Sequence, residues 1–249
     1  MSLLTDVGVI DESDLRLRDS SILDVSSQEQ VDLRAKIALA QSEIKERIEY
    51  LLRACPAATG ITADNVVMTE GLTRWLAYYT LEMVYQDVHF SQLNDRYGRR
   101  WEEYRRRASE AEHDYAAQGV GISSAPLPQP AAPLAQLDAG GLAPATYHLQ
   151  TRWVNAKGEE SAPSPIATIS ASSFHSLRVA AGVPPGSATG WNVYAGATEE
   201  TICRQNSAAL AVGQQWVHVT GELEATAEER QSQKPSSYVY PKQEMRRRY

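Results

Sequence analysis

The chain has 249 residues, 43% of them apolar and 22% charged, with 24 basic against 31 acidic side chains and a formal net charge of −7 at pH 7. At roughly 100–150 residues per domain, that is room for two modest domains and a connector. Two cysteines exclude a disulfide-stapled miniprotein, and the acid excess argues against a general nucleic-acid binder, so any cationic function has to be local.

No run approaches the ~20 apolar residues that span a bilayer, and Met1 to Asp11 lacks the basic-then-apolar order of a signal peptide. The expectation is a soluble, non-secreted protein whose Cys55 and Cys203 are reduced and buried. Charge is unevenly spread: residues 1–121 hold 14 basic and 21 acidic side chains, whereas residues 122–249 hold 10 of each. Within that second half, Lys234, Lys242, Arg246, Arg247 and Arg248 face only Glu244.

In chain order, an irregular segment around Asp11 to Asp24 precedes a helix that starts at a Ser26-to-Glu29 capping box. Its apolar stripe is Leu33, Ile37, Ala40, Ile44, Ile48, Leu51 and Cys55, stopped by Pro56. A second helix from about Thr69 places Leu72, Leu76, Tyr79, Met83 and Phe90 on one side with Trp75 beside them, and should be the most buried. Asn94-Asp95 can cap a third, in which Tyr97, Trp101, Tyr104, Ala108, Ala111 and Tyr115 recur in a heptad-like pattern. Its other face offers Arg99/Glu103, Glu102/Arg106 and Glu103/Arg107 pairs at i, i+4.

Residues 119–144 carry Pro126, Pro128, Pro130, Pro133 and Pro144 and the single charge Asp138, a composition that predicts an extended linker. Beyond it the apolar period falls to 2. Tyr147 to Trp153, Ser173 to Ala180, Gly190 to Ala195, Thr201 to Gln205 and Gln214 to Thr220 read as short strands of a β-sandwich. The predicted fold class is therefore α + β multidomain: a helical bundle over 1–118, a linker over 119–144, an all-β sandwich over 145–233 and a basic aromatic arm over 234–249.

Reactive constellations are missing. There is no phosphate-binding glycine loop, nucleophile elbow, His-Glu-x-x-His or Cys-x-x-Cys; His89, His113, His148, His175 and His218 stand alone; and the pairs Glu102/Glu103, Glu159/Glu160, Glu199/Glu200 and Glu228/Glu229 read as solvated charge. The expectation is a protein that is not an enzyme and has no metal or cofactor. Trp153, Trp191 and Trp216 are expected in the core rather than on a sugar-stacking platform. Two features remain as candidate contact surfaces. One is the arginine face of the third helix, with Arg99, Arg100, Arg106 and Arg107 as a possible subunit interface. The other is the arm, where Tyr238, Tyr240, Arg246, Arg247, Arg248 and Tyr249 have the aromatic and guanidinium content of interface anchors. If that arm is free, deleting Pro235 to Tyr249 should leave thermal stability nearly unchanged.

Over residues 3–117 the chain resembles the head-to-tail connector, or neck adaptor, proteins of tailed bacteriophages. The likeness is carried by Ser13-Asp14-Leu15 with Arg18-Asp19-Ser20, by Asp32-Leu33-Arg34-Ala35-Lys36-Ile37, and by the stretch from Leu81 through Tyr85-Gln86-Asp87 and Gln92-Leu93-Asn94-Asp95-Arg96-Tyr97 to Trp101-Glu102-Glu103-Tyr104. The resemblance implies a homo-oligomeric ring, commonly of twelve copies, located in the virion neck and assembled in the cytoplasm of a host bacterium. It would contact the portal protein and tail or neck proteins and pass double-stranded DNA without sequence-specific binding or any membrane partner. The second half is similar to an immunoglobulin or fibronectin type III module. Tyr147 to Ser164 resembles its late strand pair, and Leu177-Arg178-Val179 with Gly190-Trp191-Asn192-Val193-Tyr194 its early strands, so the strand order is permuted or its own. The rival reading is a virion-surface module whose sandwich binds a glycan or host protein while the helices oligomerise; a third is a portal-associated factor that handles DNA.

Overall fold

The computed structural model describes residues 1–91, 96–219, 221–224 and 232–240. The fold is α+β, with helices and antiparallel sheets. The helices are α1 (Glu12–Arg16), α2 (Ile22–Glu29), α3 (Leu33–Arg53), α4 (Glu70–Ser91) and α5 (Gly98–Gln118). The strands are β1 (Val120–Ile122), β2 (Leu134–Leu142), β3 (Thr146–Val154), β4 (Ala167–Ser170), β5 (His175–Ala180), β6 (Gly190–Gly196), β7 (Cys203–Arg204), β8 (Leu210–Ala211), β9 (Trp216–His218) and β10 (Ser237–Val239). The chain forms two compact units: Val7–Ser124 with Pro235–Tyr249, and Met1–Asp6 with Ala125–Lys234.

In the first unit the segment expected to be irregular is helical. Asp11 caps α1 by accepting from the Ser13 and Asp14 amides while Asp14 bonds back to the Asp11 amide. The capping-box residues Ser26 to Glu29 lie inside α2, which Gln30 ends at φ 55°, and the cap of α3 is Asp32, whose carboxylate accepts from the Ala35 amide. The α3 stripe is buried at Leu33, Ile37, Ala40, Ile44, Ile48 and Leu52, one residue beyond the expected Leu51. Helix α4 packs against both α3 and α5 and buries Leu72, Trp75, Leu76, Ala77, Thr80, Leu81, Val84, Tyr85 and Val88. Phe90, expected in that core, is 67% exposed. Helix α5 buries Tyr104, Ala108, Ala111 and Tyr115 as its spacing predicts, and the Asn94-Asp95 cap lies outside the described residues.

The second unit holds a three-stranded sheet, β2-β5-β9, and a larger one ordered β4-β3-β6-β7 with β8 also on β6; all pairings are antiparallel. Both sheets feed one core. Leu142, Leu177, Val179 and Trp216 come from the first, and Tyr147, Leu149, Trp153, Trp191, Val193 and Ala195 from the second. Trp153 and Trp191 are cross-strand partners in the β3–β6 ladder, and with Trp216 they are buried as expected, not displayed. Cys55 and Cys203 are free and buried.

The expected linker over 119–144 is replaced by structure. Residues 120–122 form β1, and 134–142 form β2, whose Asp138 pairs with Arg178 of β5 at 2.6 Å. The proline-rich stretch between them has no regular structure, because proline donates no ladder hydrogen bond, yet it is packed. Leu127 is fully buried, and its amide and carbonyl are held by both ends of the buried Gln233 amide, at 3.1 and 3.0 Å. Met1–Asp6 belongs to the same unit, with Leu3 and Leu4 buried and Asp6 accepting from the Gln129 amide at 2.8 Å.

Candidate interaction surface

The root of the arm is a strand. Ser237–Val239 pairs antiparallel with β1 in the register Val120↔Val239, Gly121↔Tyr238 and Ile122↔Ser237, and the Ser236 amide donates to the Ile122 carbonyl at 2.7 Å. Val239 is buried, while Tyr238 and Tyr240 are 49% and 61% exposed. Gly119 makes room for this edge. Its φ is +87°, and a Cβ there would lie 3.0 Å from the Tyr240 ring and 3.3 Å from the Tyr238 Cβ. The expectation of a free arm from 234 onward is thus corrected for its first residues, which complete β1's hydrogen bonding; Arg246, Arg247, Arg248 and Tyr249 lie outside the described residues.

The arginines of α5 have different partners. Arg100 is exposed but anchored: its guanidinium donates to the Tyr85 hydroxyl at 2.8 Å and to Ser21 Oγ, and stands 3.5 Å from Asp19. Asp19 in turn accepts from Tyr85 (2.5 Å), Ser21 Oγ (2.8 Å) and the Ser21 amide (3.0 Å). Burial pushes the Asp19 carboxyl up, but these hydrogen bonds outweigh it and hold the group below its usual range; burial and the bond to Asp19 push the Tyr85 hydroxyl up to about 12. Arg107 pairs with Glu103 as expected and covers the Tyr78 and Tyr104 rings, at 5.8 and 5.7 Å from their centroids. Arg106 pairs with Glu110 at 2.6 Å rather than with Glu102. Arg99 is exposed. Of the four arginines predicted as an interface, Arg99, Arg100 and Arg106 are exposed and Arg107 is half-buried; Arg100 is tied to Tyr85, Ser21 and Asp19, while Arg106 and Arg107 are paired within their own helix.

Sequence reasoning missed a buried charge. Glu160, expected in solvent beside Glu159, is only 4% exposed. Both its carboxylate oxygens accept from the Tyr194 hydroxyl at 2.8 Å, one accepts from Asn192, and Arg152, itself 11% exposed, lies 3.9 Å away. Asn206 extends the cluster by donating to Asn192 Oδ1 at 2.8 Å. Glu160 also forms isolated bridges with Val154 and Ser232, and its carbonyl accepts from Gln233 at 3.1 Å, so its position joins two distant chain segments. The one sequence signal for it is the alternation Arg152/Asn192/Tyr194 on strands, which puts three polar partners on facing positions.

Among the described residues no group of His, Cys, Asp and Glu could hold a metal ion, and no helix is long and apolar enough to cross a membrane. No family model matches the chain, and no curated protein is found to be similar to it.

Proposed function

We propose that the protein is a structural virion component, a head-to-tail connector whose helical unit builds an oligomeric ring beneath the portal and continues the DNA channel toward the tail. The observation that carries this reading is the charge of the helical segment: 21 acidic against 14 basic side chains over residues 1–121, with Arg100, Arg106 and Arg107 internally matched. A channel wall of that sign repels phosphate and lets a duplex slide without gripping it. The resemblance across residues 3–117 supplies the ring and the portal partner, and the exposed Tyr238 and Tyr240 ahead of Lys242 and Arg246 to Arg248 suit an arm that engages an acidic neighbour.

In this reading α3, α4 and α5 are a three-helix bundle and the second unit is an immunoglobulin- or fibronectin-like sandwich that braces or projects from the ring. Support for the sandwich comes from the chain's passage between sheets: β2 in one, β3 and β4 in the other, β5 back in the first, β6 to β8 in the second and β9 in the first again. The test is electron microscopy of the full chain mixed with its portal. A ring stacked coaxially on the portal is expected, and failure to bind the portal at any salt concentration contradicts the proposal.

A further inference from the structure

We infer that the basic terminal segment, residues 241–249, docks along α3 of its own chain in the groove lined by Glu43, Glu46, Arg47, Tyr50, Leu51 and Glu112. This goes beyond the connector reading and does not depend on it. The groove has an aromatic and apolar floor with a carboxylate rim: Tyr50 is 72% exposed, Leu51 is half-buried, and Glu46 is exposed. Its one cation, Arg47, is already shared between Glu112 at 3.1 Å and the Tyr79 hydroxyl at 2.9 Å, and Tyr79 donates to Glu43. Negative charge is left in excess there. Consistent with that, burial raises the Glu82 carboxyl on the adjoining α4, and Glu112 and Glu43 add to the rise against Arg105 and Arg47.

Position selects the occupant. The Tyr240 carbonyl lies 3.9 Å from Cys55 Sγ. Cys55 follows the end of α3, and Glu43, Arg47 and Leu51 recur every fourth residue, so they form one stripe on that helix leading toward its Cys55 end. From its end at Arg53 back to Glu43 the helix rises roughly 15 Å at 1.5 Å per residue. Nine residues beyond Tyr240 reach up to about 30 Å when extended. The segment therefore starts at one end of the groove and is long enough to run its length. Its charges are complementary: Lys242, Arg246, Arg247 and Arg248 against Glu244 alone. A short tether raises the local concentration of the segment at this groove above that of any free partner. The arm accordingly has a resting place on its own helical unit, from which a more acidic surface would have to draw it.

The experiment uses the full-length chain at high dilution, coupled with a zero-length carbodiimide and mapped by mass spectrometry. Lys242 is expected to be joined to Glu43, Glu46 or Glu49 in the monomeric fraction. Reversing the distal charges, Arg246→Glu with Arg247→Glu and Arg248→Glu, keeps Lys242 and should lower that yield roughly fivefold or more, as should raising the salt to about 0.5 M. An undiminished yield in the reversed variant, coupling of Lys242 only to other sites, or coupling found only in cross-linked dimers would overturn docking on the chain's own α3.

Discussion

At Asp19 and at Glu160 a single carboxylate organises a neighbourhood, and each predicts a measurable effect. Asp19 titrates below its ordinary 3.8 in the folded state because Tyr85 and Ser21 donate to its charged form. Its contribution is therefore complete above about pH 4 and is lost as pH falls through the lower, folded value, since the unfolded chain then binds the proton more readily. Urea unfolding followed down the acid range should show this loss in the wild-type chain and a shallower one in Asp19→Asn, which should itself cost about 1.5–3 kcal/mol near neutrality. Asp6 has the opposite sign. Burial raises its carboxyl despite the Gln129 and Leu3 amides, so its contribution falls as pH rises from 3.8 to its folded value. Glu160→Ala removes the acceptor of the buried Tyr194 hydroxyl and Asn192 amide and one partner of Arg152, and should destabilise by about 2–4 kcal/mol, read as a drop in unfolding midpoint at unchanged slope. Neither residue stands out in the sequence, because a carboxylate next to Glu159 or Ser20 has the spacing of a solvated charge; its burial depends on Tyr194 and Asn192 or on Tyr85, which only the fold brings near.

Helix periodicity is the most legible feature of the sequence at the level of elements. The stripes of α3 and α5 are where 3.6-residue spacing puts them, since long helices with one apolar face leave little choice of orientation. Short elements were less legible. Helices α1 and α2 depend on caps at Asp11 and on burial of Leu15, Ile22 and Val25 rather than on a repeating stripe. Strand β2 is mostly exposed and rich in Ala and Gly, so it lacks the alternation that marks β3; its existence rests on pairing with β5. Strand β10 is only three residues long and rests on its pairing with β1, which no local pattern shows, and its presence changes the truncation experiment. Deleting Pro241 to Tyr249 should leave the melting temperature nearly unchanged, whereas deleting Pro235 to Tyr249 unpairs β1 and removes the buried Val239, and should lower it by several degrees on the basis of about 1–2 kcal/mol for the lost burial and pairing. Gly119→Ala, at φ +87° and against Tyr240, should cost about 1–3 kcal/mol, checked by the same melt.

For the whole molecule, the sequence charge of −7 resolves into an acidic helical segment, a near-neutral second half and a cationic terminus within it. If the helical unit lines a channel, the protein should show no tight binding to duplex DNA at physiological salt, and a fluorescence-anisotropy titration with a Kd in the nanomolar range would favour a DNA-handling role instead. Trp153, Trp191 and Trp216 are buried in the core of the sheet unit, so none of the three forms an exposed stacking surface. The most direct test of the connector proposal is to locate the chain in a density map of the intact virion. The proposal predicts a ring of copies in the neck, directly below the portal, with the helical units toward the DNA; density for the chain on the capsid surface or tail fibres, with none in the neck, would contradict it.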